Sequence, residues 1–338
     1  HTDYNDGFVL PAALEQECVV RAGRRPDGVV RLRSDDASGD VEVPADGSFD
    51  PSGVEPRWGR YAAGVVRTLA ELGRPSAGLD AVVSSSVPLG SGLSSSAALE
   101  VAVALALCDS ARFELPLLDL ARACRRAEEM ATGVPCGIMD QLASLAGRRG
   151  HALLIDCRSL DVEPIPIPSA LAILVVHSDV SRGLADSSYA ERRRACEAVA
   201  SRLGLPALRD ALPEQVADEP RARHVVSENA RVLEAARALR SGDADALGPL
   251  LLASHASLRD DFEVSTPELD ALVEALVGAG ALGARLTGAG FGGCVVALSE
   301  RENAAEILET AMARYGADTG RAPSGFVCRP ADGAGPLA

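Results

Sequence analysis

The sequence predicts an α+β protein of two domains. Three observations carry that reading. The chain has 338 residues, long for one domain of ordinary size. Strand-like and helix-like stretches interleave in both halves. The run VEPIPIPSA at 162–170 holds three prolines and can be neither regular helix nor central strand, so the domain boundary is placed there. The expected domains are 1–165 and 166–338.

The elements follow in order. Residues 17–33 alternate as two strands around the turn-rich GRRPDG, which predicts a hairpin. Residues 34–57, rich in Asp, Ser, Gly and Pro, read as a loop. Trp58 to Leu72 has helical apolar spacing and stops at Gly73 and Pro75. A strand at 81–87, a loop at 88–96 and an Ala-rich apolar helix at 97–108 come next, then a helix at 117–131 and a short strand at 151–157. The second half opens with a strand at 171–176, followed by helices near 187–203, 226–240, 243–256 and 267–278. Residues 284–298 read as loop then strand, and a helix at 301–314 and a strand near 324–328 finish the chain.

Composition excludes several functions. Hydrophobic residues make up 47% and aromatic ones 3%, so the cores must be aliphatic. A formal charge of −15 is the wrong sign for a nucleic-acid binder, which needs Lys and Arg on phosphates. The sequence contains no lysine. A P-loop and a protein-kinase site each need one on the phosphates, so both are excluded, although codon bias in a GC-rich genome explains the absence itself. The eight cysteines show no CxxC spacing, which indicates neither a disulfide framework nor a zinc site. No apolar run reaches membrane-spanning length and no signal peptide is visible, so a reduced cytoplasm is expected.

Three segments carry chemistry. In PLGSGLSSSA, Gly90 and Gly92 precede Ser94 to Ser96 at a helix start. Glycines admit close backbone approach, and a helix N-terminus offers N–H groups and positive potential to a phosphate. The competing reading is a Ser-capped helix after a Gly turn. The cluster Gly288–Gly293 satisfies GxGxxG but leads into a strand, not a helix, so the dinucleotide-binding context fails. Close approach to a ligand or a neighbouring loop is the alternative. In PCGIMDQ, Asp140 is one acid after a Pro/Gly turn, either a helix N-cap or a catalytic base. Glu128, on the preceding helix, reads alone as a solvated surface acid.

Taken together these segments resemble the GHMP family of small-molecule kinases, its galactokinases in particular. PLGSGLSSSA looks like the family's phosphate motif and LTGAGFGGC like its C-terminal glycine motif. HTDYNDGFVLP resembles the end of the galactokinase signature, and PCGIMDQ, HALLIDCRSL, SSYAERRRACE, RARHVVSEN and SLRDDFEVSTPELD resemble galactokinase sequence. The collinear match runs from His1 to about Cys328.

The resemblance implies a two-domain GHMP kinase fold, with a ribosomal protein S5-like N-terminal domain and a ferredoxin-like C-terminal domain. It implies transfer of the ATP γ-phosphoryl group to the C1 hydroxyl of D-galactose, the entry to galactose catabolism by the Leloir pathway. Asp140 corresponds to the acid beside the C1 hydroxyl. Ser96 and Glu128 correspond to ligands of Mg2+, completed by waters and phosphates. Gly90, Ser91, Gly92, Leu93, Ser94, Ser95 and Ser96 would hold the phosphates, and Trp58 lies at a position near the adenine. His1, Asp3, Gly137, Asp140 and Tyr189 correspond to sugar contacts. A cytoplasmic monomer with no nucleic-acid or membrane partner is expected.

The family's signature Arg, and a Glu that contacts the sugar, lie upstream of His1, which opens the chain without an initiator Met. The expectation is an N-terminally incomplete sequence. By analogy with arginine fingers, such a chain would be slowed on the order of 10³–10⁵-fold. Two other readings stay open: a related kinase for N-acetylgalactosamine or arabinose, and a non-catalytic galactose and ATP sensor.

Overall fold

The computed structural model describes residues 1–88, 92–181 and 185–337, without the side chains of 185–187. Its contacts divide the chain into two units, each assembled from separate pieces. One unit comprises Gln16–Pro88, Ser94–Gly147 and Asp332–Ala338; the other comprises His1–Glu15, Leu89–Leu93 and Arg148–Ala331.

In the first of these, strands β2 (Cys18–Arg25), β3 (Val29–Ser34), β4 (Val41–Pro44) and β5 (Gly78–Ser85) form one sheet in the order β2-β5-β3-β4. The expected 17–33 hairpin does not form. β5 lies between its two arms, antiparallel to β2 and parallel to β3. Gly78 explains how the turn straddles the intervening strand. A Cβ there would sit 2.8 Å from the Val29 carbonyl and 3.0 Å from Arg25 Cβ, so only a residue without a side chain fits beneath the crossing. The second departure is β4, inside the stretch expected as loop. Its four residues alternate buried Val41 and Val43 with exposed Glu42 and Pro44, too short a run to stand out among turn residues.

Helices α1 (Gly59–Glu71), α2 (Ser95–Ala111), α3 (Leu117–Thr132) and α4 (Met139–Ala146) complete this unit. Val101, Val103, Ala104 and Leu107 of α2 are buried, as the apolar pattern predicts. Helices α1 and α3 meet at Gly64, whose missing Cβ would lie 2.6 Å from the Ala127 carbonyl. The short α4 was not foreseen as an element.

The other unit holds two sheets. β1 (Phe8–Val9), β6 (His151–Asp156) and β7 (Val162–Pro166) pair antiparallel in the order β1-β6-β7. The proline-rich run is thus a strand at a sheet edge, where a proline need not donate to a ladder. β8 (Leu171–His177), β9 (Gly283–Leu286), β10 (Cys294–Glu300) and β11 (Ser324–Cys328) form an antiparallel sheet in the order β11-β8-β10-β9. Counted along the chain that is fourth, first, third, second, the ferredoxin-like order. β9 replaces part of the expected loop at 284–293. Helices α5 (Ala185–Arg202), α6 (Pro220–Ser241), α7 (Ala244–Asp260), α8 (Pro267–Gly278) and α9 (Ala304–Thr319) surround an aliphatic core that includes Leu174, Val176, Leu272 and Leu276. None of the eight cysteines forms a disulfide. No helix among the described residues is long and apolar enough to cross a membrane.

Candidate active site

Helix α2 begins in a way that leaves its first turn available. Ser94 occupies the N-cap in the left-handed region (φ 57°) and its side chain makes no capping hydrogen bond. The Ser-capped reading therefore fails at this position. Gly92, at φ 84°, provides the second left-handed residue of the approach. The first-turn N–H groups of α2, with the positive end of its dipole, suit an anion. Leu93, Ser94, Ser95 and Ser96 are half-buried along this entry. Gly90 and Ser91 lie outside the described residues.

From the first turn of α2, Ser96 Oγ donates to Glu128 Oε1 on α3 at 2.7 Å. Glu128 is not the solvated surface acid that its sequence position suggests. Its other oxygen, Oε2, accepts from Gln141 Nε2 of α4 at 2.8 Å and lies 3.6 Å from Cys136 Sγ. Gln141 is fully buried and donates its second amide hydrogen to Glu100 Oε2 at 3.1 Å. Glu100 is also fully buried. Burial pushes its carboxyl well above the usual range, and the charge of Glu128 pushes the same way. Neither Glu100 nor Gln141 was singled out from sequence. The available signal was one acid inside the apolar run AALEVAVALALC.

Asp140 stands one residue before Gln141, in the first turn of α4, with Ile138 at the N-cap. The capping alternative for Asp140 is therefore excluded. A carboxylate in a first turn is favoured by the helix dipole. Gly137 precedes the cap and is half-buried, as Asp140 is. Trp58, the residue before α1, donates from Nε1 to the Ser38 carbonyl at 3.3 Å.

A hard-oxygen pair from Ser96 and Glu128 suits Mg2+, which takes one or two protein oxygens and fills its shell with phosphates and water. The described residues contain no group of three His, Cys, Asp or Glu side chains able to hold a metal by themselves.

In the other unit, His1 is the hub of an aromatic cluster. Its ring lies 5.7 Å from Tyr189, 4.7 Å from Phe262 and 5.9 Å from Tyr4. His1 Nδ1 bonds the Tyr4 hydroxyl at 2.9 Å, and Nε2 bonds the Ala289 carbonyl at 3.2 Å. Asp3 is half-buried two residues on. Phe262 itself is fixed by buried Arg192 of α5, which donates from Nε to the Phe262 carbonyl at 2.7 Å and from Nη2 to the Glu263 carbonyl at 2.8 Å. Sequence reasoning found His1 and Tyr189 but not Tyr4, Phe262 or Arg192.

The glycine cluster joins β9 to β10, and no helix follows it. A Cβ on Gly290 would lie 2.3 Å from the Val264 carbonyl, and one on Gly292 2.8 Å from the Val180 carbonyl. Close packing against neighbouring segments explains these glycines. Deeper in this unit, Glu228 of α6 accepts from Arg285 Nη1 and Arg231 Nε, both at 2.7 Å. Burial alone would raise its pKa, but Arg285, His224 and Arg231 outweigh that and hold it at about 2.

Known proteins place this arrangement. Residues 60–148 match the model of the GHMP kinases N terminal domain, residues 235–318 that of the GHMP kinases C terminal domain, and residues 1–24 the galactokinase galactose-binding signature. Lactococcus lactis galactokinase, solved in complex with galactose, is 33% identical with a TM-score of 0.93, over 100% of this chain and 91% of that one. The mevalonate kinases of Methanococcus jannaschii (19% identity, TM-score 0.69, 98% of this chain and 95% of that one) and L. major (20%, 0.69, 98% and 93%) share the fold. Arranged on the GHMP two-domain fold and carrying the galactose-binding signature, the chain belongs to the galactokinase family of sugar kinases.

Proposed function

We propose that this chain transfers the γ-phosphoryl group of ATP to the C1 hydroxyl of D-galactose, with Asp140 as the acid that orients and deprotonates that hydroxyl. The observation that carries the substrate is the galactose-binding signature over residues 1–24, which contains His1 and Asp3. Polar groups at such positions discriminate sugars, because a buried partner left unpaired costs about 1–3 kcal/mol. Gly137 and Tyr189 complete the proposed sugar contacts. The stretch from Gly90 to Ser96, which leads into the first turn of α2, would receive the phosphates, and Trp58 would lie near the adenine.

Phosphoryl transfer depends on positioning and on neutralising charge more than on covalent chemistry, so one acid suffices. Ser96 and Glu128 would hold Mg2+, which supplies charge neutralisation on the phosphate oxygens. Asp140 would accept the hydroxyl proton as the sugar oxygen bonds to phosphorus and ADP leaves. The division into an ATP and sugar-binding domain at 1–165 and a C-terminal domain at 166–338, cytoplasmic location and a monomeric state belong to the same proposal.

Asp140→Asn tests the role of the acid. ADP release with galactose, ATP and Mg2+ is measured beside the parent, each as it stands and with the family segment that carries the signature Arg joined before His1. The expected result is a fall in kcat of about 10²–10⁴-fold with galactose binding retained. A parent that binds galactose and ATP but releases no ADP in either form would favour the sensor reading and sink this one.

A further inference from the structure

Three fully or partly buried polar side chains in the unit containing α2, α3 and α4 are arranged in series: Glu100, Gln141 and Glu128. Gln141 has 0% exposure and spends both hydrogens of one nitrogen on two carboxyl groups, at 3.1 Å on Glu100 and 2.8 Å on Glu128. Only an amide can do this without adding charge between two acids. The arrangement is expensive for stability. Glu100 Oε1 and Gln141 Oε1 are buried without a hydrogen-bond partner, and an apolar pair of the same size would avoid that cost.

What the arrangement achieves is a fixed plane for the Glu128 carboxylate, pinned at both of its oxygens. Oε2 is taken by Gln141 and faces the Cys136 thiol, while Oε1 is directed at Ser96 Oγ, 2.7 Å away. Without the amide, the plane of the Glu128 carboxylate would turn over a wide range about its last bond, since that torsion is broad. Glu100, fully buried on α2, holds the same amide from its other hydrogen.

Resting on the reading that Ser96 and Glu128 hold the nucleotide's divalent cation, we propose that Gln141, seated on Glu100, is a positioning residue of that cation site. It locks the plane of the Glu128 carboxylate, so that one oxygen stays beside the Ser96 hydroxyl. Residues that orient a metal's ligands without touching it commonly change affinity by about 10–100-fold when replaced.

The test is direct cation binding, read by the EPR signal of free Mn2+ titrated into protein with ADP, alongside thermal midpoints. Gln141→Met, of nearly the same shape, should weaken Mn2+ binding roughly 10–100-fold and raise the Mg2+ requirement of the reaction, with galactose KM within about twofold. Glu100→Gln keeps an acceptor for Gln141 and should bind Mn2+ within about threefold of the parent, whereas Glu100→Met should weaken it. If Gln141→Met does not fold, Glu100→Met carries the same comparison. Glu128→Gln separates the two ideas. Loss of Mn2+ binding in Glu128→Gln but parental binding in Gln141→Met and Glu100→Met overturns the positioning role and leaves the cation reading intact. Parental binding in Glu128→Gln overturns the cation reading and this inference with it.

Discussion

Acidifying the solution from about pH 7 to about pH 5 should weaken this fold through His224, by roughly 2 kcal/mol. The ring is 1% exposed, bonds the Ser257 hydroxyl through Nδ1 at 2.9 Å and packs 4.7 Å from Phe262. Burial lowers its pKa from 6.5 to about 3; Glu228 opposes that shift, while Arg231 and Arg285 reinforce it. The folded value is depressed for a base, so between about pH 3 and 6.5 the unfolded chain binds the proton and the folded chain does not. Stability therefore rises with pH across that window and levels off above it. Near pH 5 the unfolded imidazole is about 97% protonated and the folded one almost not at all, which gives roughly 2 kcal/mol at 1.36 kcal/mol per unit. The assay is urea unfolding of the parent and of His224→Gln at both pH values. His255, also lowered chiefly by burial, is present in both chains and cancels in the difference. Equal losses in parent and variant between the two pH values would refute the reasoning.

Two other perturbations read the packing. Gly64→Ala drives a methyl group against the Ala127 carbonyl, which cannot swing aside as a side chain would. A cost of about 1–3 kcal/mol follows, and calorimetry should show a Tm lower by several degrees; an unchanged Tm would mean that α1 and α3 separate freely. Arg192→Lys replaces a planar two-point clamp on the Phe262 and Glu263 carbonyls by a single ammonium. It should destabilise by about 1–3 kcal/mol and raise galactose KM through the Phe262 ring on His1, with unchanged urea midpoint and KM as the contrary result.

Local physics explains which parts of this molecule could be read from its residues. Helices such as α1 and α3 announce themselves by apolar spacing and a glycine stop, because both signals act within one turn of chain. The 17–33 hairpin was misread because its arms satisfy every local rule. The strand that parts them arrives from residue 78 onward, and only Gly78 hints at the crossing. β4 and β9 are four residues each and lack the length over which alternation becomes a signal. Among site residues, Asp140, Glu128 and Ser96 were reached through motif resemblance, and the structure joins Ser96 to Glu128 directly. Gln141 and Glu100 were passed over because their significance is a matter of depth and partner. Arg192 is hidden in a run of four charged residues, ERRR, of which it alone is buried, with its guanidinium on the Phe262 carbonyl.

The interleaving of chain pieces between the two units has a consequence for synthesis. Residues 1–15 belong with a body whose main portion starts at Arg148. A ribosome adding about 5–20 residues per second needs about 7 to 26 seconds to make the intervening stretch. For that time residues 1–15 wait while the rest of their unit is still being translated. The body built on β2 to β5 can assemble first, so residues 1–15 are among the last pieces to find their place.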